Sequence, residues 1–185
     1  EWKKKKLGKP WLQGETPSIG IGQGYNTFTI MQMAKAVSII ANRGKVITPR
    51  LIKASQDQQT GDFNYVKSRF EEDIDIAPEW FEFVIEAMVE VNKTGTGARV
   101  MSNSSYSIAG KTGTSQVFTI KQDEEYDIES VPEHLRDHSL YIGFAPAKNP
   151  KIALAIVVEN GGFGAKSAAP IARKIFDFVL LNNNK

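Results

Sequence analysis

The stretch Ile108-Ala-Gly-Lys-Thr-Gly-Thr-Ser-Gln-Val117 decides how this chain is read. Lys111, Thr112, Thr114 and Ser115 surround a single glycine, Gly113, and the flanking Tyr106, Ile108, Val117 and Phe118 are strand formers. This composition predicts an extended strand rather than a helix. The strand offers a cation, several hydroxyls and a backbone open to close approach at Gly113. Those groups suit holding an extended peptide that ends in a carboxylate. Gly110-Lys111-Thr112 also matches the end of a phosphate-binding loop, G-x-x-x-x-G-K-[ST], but that pattern requires glycine where the chain has Ser105. It must also run into a helix, and the strand formers beyond Gly113 argue against one. Nucleotide binding is therefore set aside.

Toward the C-terminus, Lys121 to Asp137 is polar and acidic, and its length predicts a loop of the kind that is often functional. His138 to Phe144 reads as a strand, and the segment from Ala145 to Lys151, with Pro146 and Pro150, as a turn. Ile152 to Val158 is a nearly unbroken apolar run, predicted to be a strand buried on both faces. The short turn makes these two strands antiparallel neighbours. A glycine-rich loop, Glu159 to Gly164, leads to a helix from about Ala168 to Leu181, with Ile171, Ile175, Phe178 and Val179 as its apolar face; Asn182 to Lys185 should fray.

Toward the N-terminus, Thr94-Gly-Thr-Gly97 reads as a turn, weak as an anion cradle without a helix start behind it. Pro78, with Glu79 and Glu82, opens a helix that turns Phe81, Ile85 and Met88 inward. Residues 55–77 form a polar surface excursion, and Val46 to Lys53, interrupted by Pro49, reads as a short edge strand. Thr29 and Gln32 fit a capping box for a helix with core residues Met33, Val37, Ile40 and Ala41, stopped at Gly44. Gly20-Ile-Gly-Gln-Gly24 is a tight turn before it, and Tyr25 breaks the dinucleotide pattern G-x-G-x-x-G. Residues 1–18, with Lys3 to Lys6, read as a solvated basic loop. The layout is mixed α/β, an antiparallel sheet flanked by helices.

The 185 residues suffice for one domain with a core, and 41% hydrophobic and 24% charged residues are ordinary for a globular chain. A net charge of +2 points to no nucleic-acid partner, and the absence of cysteine excludes disulfides and thiolate metal sites. His134 and His138 have no further ligands to complete a metal site, so neither metal nor cofactor is expected. No apolar run is long enough to span a bilayer. Because the chain opens at Glu1 rather than methionine, it reads as a piece of a longer protein.

Glu1-Trp-Lys, Lys9-Pro-Trp11, Gly14-Glu-Thr16, Gly20-Ile-Gly-Gln-Gly-Tyr25 and Ile30-Met-Gln-Met33 resemble a run in the class B penicillin-binding proteins, most closely the penicillin-binding protein 2 group. Lys111-Thr-Gly-Thr-Ser-Gln-Val-Phe118, Leu135-Arg-Asp-His138, Phe144-Ala-Pro146 and Glu159-Asn-Gly-Gly162 continue the resemblance in order. Lys-Thr-Gly is one of the active-site motifs of that fold, which serine β-lactamases share. The resemblance implies that residues 1–185 are the C-terminal portion of a transpeptidase domain, an incomplete piece of a fold with a five-stranded antiparallel sheet. It implies a serine-type D-Ala-D-Ala transpeptidase that cross-links peptidoglycan during cell-wall elongation. Its ligands would be stem peptides and β-lactams, and its partners a membrane glycan polymerase and cell-shape scaffold proteins. The location would be the periplasmic face of the bacterial inner membrane, with the anchor outside this sequence.

By the same resemblance Lys111 is a catalytic proton-relay residue, Thr112, Gly113 and Thr114 bind substrate, and Gly161 and Gly162, with the 119–137 loop, line the rim. No serine in the sequence has lysine three residues on, so Ser-x-x-Lys is absent, and Ser-x-Asn is absent too. The nucleophile is thus expected upstream, and this chain alone should be inactive. The alternative is a non-catalytic module of the same fold that binds peptidoglycan or a partner. Strand alternation raises one difficulty: Lys111 and Thr114 fall on opposite faces, so both serve one site only along the strand's edge or through a twist.

Overall fold

The computed structural model describes residues 1–117 and 131–182. The chain runs through α1 (Trp2–Leu7), α2 (Glu15–Gly20), α3 (Ile30–Ala41), β1 (Ala54–Gln56), β2 (Phe63–Tyr65), α4 (Pro78–Lys93), α5 (Ala98–Met101), β3 (Ala109–Ser115), β4 (His138–Ala145), β5 (Ile152–Val158) and α6 (Ala168–Leu181). Strands β3, β4 and β5 form an antiparallel sheet in that order. In register, Lys111 lies opposite Ile142 and Gly113 opposite Leu140.

Helices cover both faces of the sheet. On one face, Val37 and Ala41 of α3 and Ile85 and Met88 of α4 pack on Ala109 and Phe144. On the other, Met101 of α5 and Ala168, Ala169, Ala172 and Phe176 of α6 pack on Tyr141, Ala145 and Leu154. Alternation along β4 produces this division, since Tyr141 and Phe144 point to opposite faces. Phe176 is fully buried, and burying a side chain of that size contributes roughly 1.5–3 kcal/mol.

Local signals placed the helix starts. Thr29 accepts from the Gln32 backbone at 3.2 Å, and the Gln32 side chain accepts from the Thr29 N–H at 2.8 Å, closing the capping box ahead of α3. Pro78 stands at the first turn of α4, and Phe81, Ile85 and Met88 are buried as their spacing requires.

Besides the facing of Met33, five expectations differ from the structure. Residues 1–18 are not a solvated loop but carry α1 and α2. Lys3 is only 5% exposed there, paired with Glu15 and lying 5.4 Å from the Tyr25 ring centre. An ion pair and aromatic faces offset the desolvation that would otherwise keep a lysine in water. The 46–53 edge strand is absent: Ile47 makes one bridge to Phe70, and pairing continues only in the β1–β2 hairpin, which projects from the body as an exposed element. A short helix, α5, does follow Gly97.

The other two differences concern the C-terminal elements. β5 is not buried on both faces; only Leu154 is fully enclosed, because no described strand pairs its far edge. In α6 the buried stripe is Ala168, Ala169, Ala172 and Phe176, whereas Ile171 and Ile175 are exposed and Phe178 is 69% exposed. Alanines let the helix axis approach the sheet more closely than isoleucines would, so the small residues took the inner face. Phe118, residues 121–130 of the expected acidic loop and the C-terminal residues 183–185 lie outside the described residues.

Candidate active site

β3 holds the site. Its one strand neighbour among the described residues is β4, so its other edge opens onto a cleft of about 570 Å³. Lys111, Thr112, Gly113 and Thr114 all line that cleft, together with Ser115 and the β4 residues Leu140 and Ile142. The α2–α3 connection closes the opposite wall with Ile21, Gly22, Gln23, Asn26 and Phe28, and Met33 of α3 joins them. The helical spacing of Met33 predicts a core residue, yet it faces the cleft.

The alternation difficulty resolves at the edge. Residues two apart in a strand turn their backbone groups to the same side. Lys111 Nζ donates to the Thr112 carbonyl at 2.7 Å, and Gln23 Nε2 donates to the Thr114 carbonyl at 3.2 Å. Side-chain donors meeting both carbonyls mark the side of β3 that faces away from β4. The cleft wraps this edge, so the exposed Lys111 side chain on one face and the Thr112 and Thr114 side chains on the other border one space.

Thr112 is 8% exposed, and its hydroxyl lies 2.6 Å from that of Thr96, in the turn between α4 and α5. A hydroxyl has one proton to donate. The pair shares one hydrogen bond and keeps one O–H to give elsewhere, which leaves it able to donate to an anion in the cleft. Thr96 also lines the cleft. Sequence reading missed it, because Thr94-Gly-Thr-Gly97 looked like any glycine turn; its one signal was a hydroxyl residue flanked by two glycines.

Support comes from beneath and behind. Asn92 of α4 is buried; its Nδ2 donates to the Ile108 carbonyl at 3.0 Å, and its Oδ1 accepts from the Tyr141 hydroxyl at 3.2 Å. Burial pushes the Tyr141 phenol well above its usual pKa, against the smaller opposing effect of the Asn92 bond, so it stays a neutral donor. Next to the sheet, Tyr106 donates to Asp177 of α6 at 2.6 Å; burial, then the neighbouring carboxylate, pushes its pKa up to about 12.

Gly161 and Gly162 are not among the residues lining the cleft; the Gly162 N–H donates to the Asp137 carbonyl at 2.8 Å. Their loop continues to Gly164, where a Cβ would lie 2.4 Å from the Gly113 carbonyl oxygen and 2.5 Å from that of Leu140. The loop therefore presses directly on the backbone of β3 and β4. Ser139 fastens it, donating to the Phe163 carbonyl at 3.1 Å and accepting from the Ala168 N–H at 3.0 Å. His138 Nδ1 accepts from the Asn160 N–H at 2.9 Å. Among the described residues no group of three or more histidine, aspartate or glutamate side chains converges to hold a metal.

The chain is similar to known proteins along nearly its whole length. The profile of the penicillin-binding protein transpeptidase domain matches residues 3–177. The chain is 39% identical over 182 residues to the peptidoglycan D,D-transpeptidase MrdA of Haemophilus influenzae, covering 97% of this chain but 28% of that protein. It thus spans under a third of that relative's length. The crystal structure of Pseudomonas aeruginosa PBP2 in complex with WCK 5153 superposes with a TM-score of 0.75 at 33% identity, over 99% of this chain and 36% of that one. A structure concerned with coordination of polymerization and crosslinking by a peptidoglycan synthase complex is similar at a TM-score of 0.71 and 26% identity, over 95% of this chain and 27% of that one.

Proposed function

This chain belongs to the penicillin-binding protein transpeptidase family, and from that premise we propose that residues 1–185 form the C-terminal portion of a peptidoglycan D,D-transpeptidase domain. The observation that carries the reading is the open edge of β3, where Lys111, Thr112, Gly113 and Thr114 border one cleft. In the proposed reaction a serine attacks the D-Ala-D-Ala bond, expels the terminal D-alanine and forms an acyl-enzyme. An amine of a second stem peptide then takes the acyl group and regenerates the serine. A β-lactam enters the first step and stalls at the acyl stage.

The chain's own residues have distinct parts in this scheme. Lys111 supplies positive charge and relays the proton between nucleophile and leaving group. The Thr112 hydroxyl, backed by Thr96, and the Thr114 hydroxyl bind the terminal carboxylate of the substrate. Gly113 keeps the strand clear: a Cβ there would meet nothing nearer than Leu140 Cβ at 3.3 Å, so its lack of a side chain serves the cleft rather than the core. The substrate adds to β3 as a further strand, and the Thr114 N–H stabilises the developing oxyanion.

The nucleophile is supplied from outside this sequence, in which no serine has lysine three residues on. The much greater length of the curated relative supports that reading. The proposed location is the periplasmic face of the bacterial inner membrane; among the described residues no helix is long and apolar enough to cross a membrane. The proposed partners are a glycan polymerase and scaffold proteins of the elongation machinery, a reading supported by the resemblance to a structure from a peptidoglycan synthase complex.

Labelled penicillin tests the proposal. This chain alone is expected to form no covalent adduct, and a longer polypeptide carrying the preceding segment is expected to form one. In the longer polypeptide Lys111→Ala should slow acylation by about 10²-fold or more. Unchanged acylation would remove Lys111 from the mechanism, an adduct on the short chain would refute the upstream nucleophile, and a longer polypeptide that never labels would favour a non-catalytic binding module.

A further inference from the structure

The turn Gly22-Gln23-Gly24 was read from sequence as punctuation before a helix. In the structure it carries a side chain into the cleft. We infer that Gln23 is a displaceable cap on the peptide-accepting edge of β3, holding the Thr114 carbonyl until a ligand brings an amide N–H of its own, and that it thereby narrows the advantage of ligands with such a donor over ligands without one. The inference rests on the strand-addition reading proposed above.

The loop is built to aim this one side chain. Gly22 and Gly24 have φ of 82° and 69° on either side of Gln23, a conformation that L-residues with a Cβ rarely adopt. The Gln23 N–H donates to the Ser18 carbonyl at 2.9 Å, and Asn26 Nδ2 donates to the Ile19 and Gln23 carbonyls at 2.9 and 3.3 Å. Tyr25 donates to Glu15 at 3.3 Å, and Glu15 is paired with the buried Lys3. The backbone of Gln23 is therefore pinned on its own side of the cleft. Its amide reaches across to a residue 91 positions away in the chain.

What it reaches is the atom that strand addition requires. In a hydrogen-bonded antiparallel pair, two facing residues exchange both N–H···O bonds. If the reacting carbonyl of the substrate accepts from the Thr114 N–H, the N–H of that same substrate residue faces the Thr114 carbonyl. Gln23 Nε2 already occupies that acceptor, at 3.2 Å. A neutral bond at the long end of the range is readily exchanged for a ligand's own amide. An uncapped edge carbonyl would also invite unspecific strand pairing. Lys111 Nζ on the Thr112 carbonyl caps the neighbouring outward acceptor in the same way. A ligand without an amide N–H at this position leaves Gln23 where it is and gains nothing from the carbonyl.

The test uses the longer polypeptide that carries the nucleophile, as wild type, Gln23→Ala and Gln23→Met, the last keeping the side chain's length but not its donor. Stopped-flow acylation separates Kd from the acylation rate constant for benzylpenicillin, whose side-chain amide adjoins the reacting ring, and for penicillanic acid, which has the same ring and carboxylate and no side chain. In both variants the ratio of the two Kd values is expected to move about two- to tenfold toward benzylpenicillin, the span of one neutral hydrogen bond, with the change carried by Kd rather than by the rate constant. Equal weakening of both ligands would overturn the cap and make Gln23 a wall of the cleft. A ratio that stays constant, or one that moves toward penicillanic acid, would overturn it as well. A wild-type protein that forms no adduct with either ligand sinks the proposed function and the inference together, whereas a labelled wild type with a constant ratio sinks the inference alone.

Discussion

Gly164→Ala should damage the site without touching the cleft. An added Cβ would sit 2.4 Å from the Gly113 carbonyl oxygen, 2.5 Å from that of Leu140 and 2.9 Å from the Gly113 nitrogen, where ordinary contact begins at 3.4 Å. Relief requires about 1 Å of movement, the difference between 3.4 and 2.4 Å. All three obstructing atoms are backbone, so no rotamer change can absorb it. Either the loop lifts from the sheet, straining the Ser139 bonds to Phe163 and Ala168, or β3 and β4 shift. Overpacking of this kind costs about 1–3 kcal/mol. A strand moved by about 1 Å misplaces Lys111, Gly113 and Thr114 enough to slow the chemistry by roughly 10²-fold. Two measurements separate these effects in the longer polypeptide: thermal unfolding for the packing cost, and the penicillin acylation rate at a temperature where the variant is fully folded. A lower Tm with a slower folded-state rate is expected. A Gly164→Ala protein with wild-type Tm and wild-type acylation would refute the tight packing of this loop against β3.

Two further outcomes follow from the groups that hold the strand. Asn92→Ala leaves the Ile108 carbonyl and the buried Tyr141 hydroxyl without their partner, a loss of about 2–4 kcal/mol from two unsatisfied groups; Tyr141→Phe should cost less, and a double-mutant cycle by denaturant unfolding should find the two effects non-additive. Alkaline pH should unfold the protein in part through Tyr106, whose pKa rises from 10.0 in the unfolded chain to about 12 in the fold, through burial and then Asp177. Because the folded state holds this proton more tightly, the stability it contributes is complete below pH 10 and is lost as pH rises toward 12. Tyr106→Phe should therefore flatten the fall in unfolding free energy across that window. An unchanged slope would mean that Tyr106 does not titrate with folding.

How far the sequence could be read depended on the range of each signal. The α3 cap spans Thr29 to Gln32, the α4 start rests on Pro78, and the β4–β5 pairing rests on the short turn between those strands, so these features were legible from neighbours in the chain. α6 was legible as a helix but not in its facing, because both of its sides are apolar. Only the sheet opposite decides that Ala168, Ala172 and Phe176, rather than Ile171, Ile175 and Phe178, go inside. The buried Lys3 was unreadable for a related reason: a lysine run looks solvated until Glu15 and two aromatic rings are brought to it.

The candidate site divides in the same way. Lys111-Thr-Gly-Thr114 announced itself as a motif, yet the groups that condition it are Thr96, 16 positions from Thr112, and Gln23, 91 positions from Thr114. Each is a polar residue within a glycine turn, the composition that sequence reading treats as punctuation. The fold uses those turns because a glycine turn carries backbone close to a strand edge, and a single amide or hydroxyl mounted there can reach a carbonyl or hydroxyl that regular secondary structure leaves open. Chemistry at the edge of β3 is thus supplied partly by a strand that is visible as a motif and partly by loops that become visible only once the strand's free edge is known.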